Sequence, residues 1–140
     1  MNTALTVLED RRAYRVTWED DQSLLALLQR EVGGYIEEVP LLEEPGGDTF
    51  LPFMLIIHEE AKLANDWHLH RNAAGTELFL RSHGVSGQPF IDWIVGPMVI
   101  VGGVDEEGNT LTLTEEDILH VQRLTRLVMI ERPEKPDGAS

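Results

Sequence analysis

Within the stretch from Leu28 to Val39 an apolar-striped segment meets two glycines and then a β-favouring run. That joint limits the chain more than any other feature. Leu24, Leu25, Leu27, Leu28 and Val32 recur at helical spacing, which predicts an amphipathic helix with Asp20 or Asp21 as its cap. Gly33 is placed to close it, because a residue without Cβ enters the left-handed conformation without steric cost. Gly34 lets the backbone swing out, and Tyr35 and Ile36 begin a strand expected to run to Leu42.

The segments on either side extend this helix-to-strand plan. Thr3–Leu8 and Ala13–Trp18 are short β-favouring runs around Glu9-Asp10-Arg11-Arg12, which predicts a hairpin. Leu51–His58 is apolar apart from Pro52 and is expected to be a strand buried on both faces. Glu59–Arg71 is expected to return as an irregular connection. Asn72 is placed to cap a short helix from Ala73 to about Arg81, with Ala74 and Leu78 inward. Phe90–Gly102 is expected to be a central strand bent at Gly96-Pro97, and Thr110–Leu113 a short strand. Thr114-Glu115-Glu116-Asp117 resembles a capping box that opens a final helix with Ile118, Val121, Leu124 and Val128 inward. The expected fold class is therefore α+β: one compact domain over residues 1–130, a twisted and mainly antiparallel sheet with two main helices and one short helix packed on it. Residues 131–140 are expected to be a disordered tail.

Composition narrows the function classes. With 140 residues, 42% apolar and 26% charged, the chain is long enough to bury a core without staples. No cysteine is present, which excludes disulfides, thiolate metal sites and a cysteine nucleophile. The net charge of −14 is spread along the chain and argues against nucleic-acid binding through a basic face. The start lacks the pattern of a signal peptide, and no apolar run approaches the ~20 residues of a membrane span. A soluble, cytoplasmic protein is expected, with no membrane partner.

Several blocks together carry a likeness. Leu28-Gln29, then Val32-Gly33-Gly34-Tyr35-Ile36-Glu37, then His58-Glu59-Glu60-Ala61-Lys62-Leu63, Arg71-Asn72-Ala73-Ala74-Gly75-Thr76, and Asp92-Trp93-Ile94-Val95-Gly96-Pro97-Met98-Val99-Ile100-Val101-Gly102 resemble a family of small bacterial and bacteriophage proteins catalogued as a domain of unknown function. The likeness runs from the first strand to the start of the last helix. It implies a compact α+β domain, often encoded by phages and mobile elements, with no activity, cofactor or catalytic residue to carry over. Similar sequences tend to have Asn or Asp in place of His58 and an acidic or polar residue in place of Pro97. Asn65–His70 and the tail after Arg126 look particular to this chain, so a site built from His58, His68 and His70 would not be a family site.

Candidate chemistry is sparse. His68 and His70 would share a side in a strand and lie about 200° apart in a helix. With His58 and either Glu59 or Glu60 they could form a histidine and carboxylate metal set. Surface or loop histidine outweighs that reading, since the spacing matches no established ligand motif. Glu37 falls between Tyr35 and Val39 on one strand face, where a carboxyl group needs a partner or a raised pKa; a solvated edge strand is the simpler account. Asp105-Glu106-Glu107-Gly108-Asn109 reads as a turn, since its glycine is misplaced for a calcium loop. Trp18, Trp67 and Trp93 read as core or interface residues.

Three functions from different classes remain. The first is a non-catalytic binding or accessory protein of phage or mobile-element type that acts on a macromolecular partner. The second is a small-ligand module with a pocket between the Gly33–Glu37 joint, the Asn72 helix start and the loop before Asp92, using Tyr35, Glu37, Asn72 and Asp92. The third is a histidine-dependent metal hydrolase. No cofactor is expected, and homo-oligomerisation is open because apolar strands include edges that need covering.

Overall fold

The computed structural model describes residues 1–42, 50–83 and 93–133. Asp92, the start of the expected Phe90–Gly102 strand before residue 93, and the segment 134–140 lie outside the described residues.

The hairpin forms from β1 (Asn2–Val7) and β2 (Arg12–Trp18), followed by α1 (Leu24–Val32), β3 (Ile36–Leu42), β4 (Phe50–His58), two short 3-10 turns at Ala61–Leu63 and Trp67–Leu69, α2 (Ala73–His83), β5 (Met98–Val101), α3 (Glu115–Thr125) and β6 (Val128–Met129). The strands make a single sheet in the order β3-β4-β5-β1-β2-β6. All neighbours pair antiparallel except β2 and β6, which run parallel.

Strand alternation explains the layering. Leu5 and Val7, Phe53 and Leu55, and Met98 and Ile100 send side chains to one face, where α2 and α3 cover them with Ala74, Leu78, Ile118 and Val121. Ala4, Met54, Ile56, Val99 and Val101 point to the other face, where α1 contributes Leu27, Leu28 and Val32. The central strands are buried on both sides, which is why β4 and β5 read as continuous apolar runs. Among the described residues, α2 and α3 thus lie on one face and α1 on the other.

Gly33 closes α1 at φ 93, with its N–H donating to the Gln29 carbonyl. The N-cap is Ser23 rather than Asp20 or Asp21; its side chain accepts from the Ala26 N–H at 3.2 Å. The apolar stripe is narrower than its leucines imply, because Leu25 is exposed. Thr114 and Asp117 form the complete capping box of α3, each side chain accepting from the other's backbone N–H.

The end of α3 departs from the sequence reading. Arg126 adopts the left-handed conformation at φ 54 and stops the helix. Val128 therefore leaves the inward stripe and lies exposed in β6, opposite Arg12 of β2. Thr110–Leu113 is no regular strand: Thr110 makes an isolated bridge to Val104, Leu111 exchanges backbone hydrogen bonds with Gly102 and Gly103, and Leu113 N–H donates to the Thr3 carbonyl. Among the described residues of the segment expected as a central strand, the regular strand is Met98–Val101, and Gly96 at φ 80 supplies the bend before it. The helix capped by Asn72 reaches His83, two residues past the expected end, and matches α3 in length.

Pro40 sits on the edge strand, where its pairing with Met54 is in register and the register shifts between it and Leu42. The Tyr35 carbonyl accepts from Glu59 N–H, so alternate residues from Tyr35 onward face β4 and Pro40 falls on the outward parity.

Candidate functional site

His58 ends β4 beside the glycine joint, and the chain is shaped to receive its ring. A Cβ on Gly34 would lie 2.2 Å from His58 Nε2, so the second glycine leaves room for the imidazole. Three clefts, of about 260, 320 and 250 Å³, all take His58 as a wall. One runs along β3 past Glu37 and Glu38 to Trp93 and Val95, over Ile57 and Ala61. The second opens beside Gly34, Tyr35 and Glu60. The third reaches Glu9, Trp67, His70 and the Gly96-Pro97 bend. Sharing the His58 wall, the three clefts make up a His58 groove whose lining includes Glu9, Glu37, Glu38, Glu59 and Glu60 beside Ile57, Ala61, Trp93 and Val95.

The far wall is fixed by Asn72. This residue is fully buried; its amide donates to the Val7 carbonyl at 3.0 Å and the Gly96 carbonyl at 2.9 Å, and its oxygen accepts from Gly75 N–H at 2.9 Å. Asn72 thus joins the end of β1, the start of α2 and the bend before β5. Next to it, the Arg71 guanidinium lies 4.2 Å from the Trp93 ring centre and 5.6 Å from that of Trp67. Both indoles are half-buried and grip a cation rather than filling the core.

His70 bridges two carboxylates, Nδ1 to Glu9 at 3.0 Å and Nε2 to Asp66 at 3.2 Å. The hydrogen bond to Glu9, with that to Asp66 after it, holds the imidazolium and raises the His70 pKa above its ordinary value. His58 and His70 line one cleft, while His68 is exposed and stands edge-on to Trp67. Among the described residues no three His, Asp or Glu side chains are placed to hold a metal ion. Tyr35 is exposed, and it and Glu37 border adjoining clefts. Glu37 and Glu38 are both solvated on edge strand β3.

A second concentration of polar groups is hidden in the helical pattern. Glu31 follows Leu27 and Leu28 by four and three residues, so it shares their buried face. Its Oε1 accepts from the Thr6 hydroxyl at 2.8 Å and the Tyr14 phenol at 2.9 Å, and its Oε2 from Arg132 at 3.0 Å. An acid lying on an apolar stripe is the one signal of it in the sequence. Burial, with the Glu31 hydrogen bond behind it, pushes the Tyr14 phenol up to about 12 from 10.0. Because the folded value is raised, the neutral phenol's contribution is complete below pH 10.0 and is lost as pH climbs through about 12. Urea unfolding of the native protein is expected to show stability falling across that window, and Tyr14→Phe is expected to remove this part of the loss. An identical alkaline slope in the variant would contradict the assignment.

Comparison with known proteins adds one match. The family model described as Domain of unknown function (DUF3846) covers residues 1–126, from β1 through the end of α3. This meets the resemblance read from the glycine-containing blocks, as far as the family itself is concerned. No curated protein and no solved structure matches the chain.

Proposed function

We propose, from the premise that this chain belongs to the DUF3846 family, that it is a non-catalytic binding protein whose His58 groove receives a segment of a protein partner carrying basic and apolar residues. The observation that carries this reading is the composition of the groove. Glu9, Glu37, Glu38, Glu59 and Glu60 border it, while Ile57, Ala61, Val95 and Trp93 supply apolar surface. A net charge of −14 adds long-range attraction for a cationic partner and repels nucleic acid. The accessory role of phage or mobile-element type, and a cytoplasmic setting, belong to the same proposal. No described helix is long and apolar enough to cross a membrane.

The test is fluorescence anisotropy with a labelled peptide of mixed lysine and leucine. Binding is expected to weaken as salt rises, because the rim carboxylates are solvated and screened. Glu37→Gln combined with Glu59→Gln is expected to weaken it about tenfold, equivalent to about 1.4 kcal/mol. Glu106→Gln with Glu107→Gln removes the same charge from the turn beyond the opposite end of β5 and is expected to have little effect. Equal losses in the two double variants would reduce the interaction to net charge and sink the groove.

A small-ligand module is the second reading, favoured by the clefts that Tyr35 and Glu37 border. Each approaches the lower end of the volumes that enclose small molecules, about 300 Å³. The groove's continuation through three clefts favours an extended occupant.

A further inference from the structure

The strongest unassigned chemistry lies at Glu31, away from the groove. Its side chain is only 2% exposed. A carboxylate so enclosed needs hydrogen bonds and a cation, and it has both. Thr6 and Tyr14 saturate Oε1, while Arg132 donates to Oε2 at 3.0 Å and Arg30 Nε stands 3.7 Å from the same oxygen. Thr6, Tyr14 and Glu31 fall within the residues shared with the family, whereas Arg132 lies beyond its end at 126.

Arg132 reaches the carboxylate by a specific route. After the left-handed turn at Arg126, Leu127 is buried in the core and Val128–Met129 run beside β2. Val128 N–H donates to the Arg11 carbonyl at 2.9 Å and Ile130 N–H to the Ala13 carbonyl at 2.8 Å. The Arg132 side chain is 39% exposed, so its position is open to solvent while the carboxylate beneath is closed.

We propose that Glu31, Tyr14 and Thr6 form a receiving site for an alkylguanidinium group, filled in this chain by its own Arg132, and that residues 127–133 are a strap fastened by that exchangeable ion pair. The two strand hydrogen bonds guide the strap; the guanidinium locks it. A charge-assisted pair whose cation alone touches solvent is suited to exchange, since the cation regains water on leaving.

The test uses the full chain with Arg132→Ala, with hydrogen exchange read at Val128 and Ile130 and melting followed with and without ethylguanidinium. The variant is expected to melt about 5 °C below the parent and to exchange faster at both amides. Millimolar ethylguanidinium is expected to raise its melting temperature saturably, to leave the parent unchanged, and to do nothing for the variant that also carries Glu31→Gln. Should Arg132→Ala fail to fold, Arg132→Lys keeps the charge without the planar fork and is expected to show the same exchange at reduced amplitude. Unchanged exchange at Val128 and Ile130, absence of a saturable rise, or an equal rise when Glu31 is also replaced would each overturn the proposal.

Discussion

Gly102→Ala is expected to lower the stability of the protein by about 3 kcal/mol, read from urea or thermal denaturation. A Cβ at this position would lie 2.3 Å from the Thr112 carbonyl oxygen and 2.9 Å from that of Leu111. Those atoms are backbone and cannot rotate away as a side chain would. Gly102 N–H also donates to the Leu111 carbonyl at 2.9 Å, so the two segments are held at this separation by a hydrogen bond the methyl group would strain. The neighbouring glycine gives a built-in comparison. Gly103 has open space where a Cβ would stand but sits at φ 87, so Gly103→Ala is expected to cost only roughly 1 kcal/mol for the left-handed backbone. Similar losses at the two positions would mean that the return from β5 is looser than these distances imply.

Glu31→Ala is expected to cost about 3 kcal/mol, because the Tyr14 and Thr6 hydroxyls would lose a buried acceptor. Thr6 is fully buried and Tyr14 nearly so, leaving neither with ready access to water. Arg132 is the member least harmed, since its side chain already meets solvent. Glu31→Gln retains an acceptor oxygen for both hydroxyls but removes the charge and sets an NH2 donor where Oε2 accepts from Arg132; because Arg132 can turn to solvent, about half that loss is expected. Urea titrations of the two variants separate these contributions. A Glu31→Ala protein within about 0.5 kcal/mol of the parent would show that the network is not what holds α1 to β1 and β2.

These effects also mark where the sequence is readable. Gly33 announces the end of α1 because the apolar stripe stops one residue before it. The Thr114–Asp117 box is local, and a local hydrogen-bond pattern survives in sequence. The two-faced burial of β4 follows from an apolar run too continuous for a strand with one wet side. Residues whose roles depend on distant segments are less legible. Asn72 reads as a cap, but its grip on Val7 and Gly96 requires three elements to meet. Val128 continues the helical spacing of Ile118, Val121 and Leu124, and only the left-handed turn at Arg126, at a residue with no special tolerance for it, breaks the pattern. Glu31 escapes notice because a charged residue on an otherwise apolar helix reads as solvated until its partners are known. The groove is partly visible: Tyr35, Glu37 and His58 come together at the glycine joint, while Glu9 arrives from the hairpin and Trp93 from beyond α2. Those last two approaches depend on strand order, which spacing along the chain does not encode.

The measurement that bears most directly on the binding role is an amide and imidazole NMR titration of the labelled protein with the lysine and leucine peptide. Saturable shifts concentrated at Tyr35–Val39, Ile57–Ala61, Trp93–Gly96 and the His58 ring, lost in the Glu37→Gln and Glu59→Gln double variant, are the predicted result. Shifts spread evenly over the acidic surface, or centred on the Glu106 turn, would contradict the assignment of the groove as the binding site.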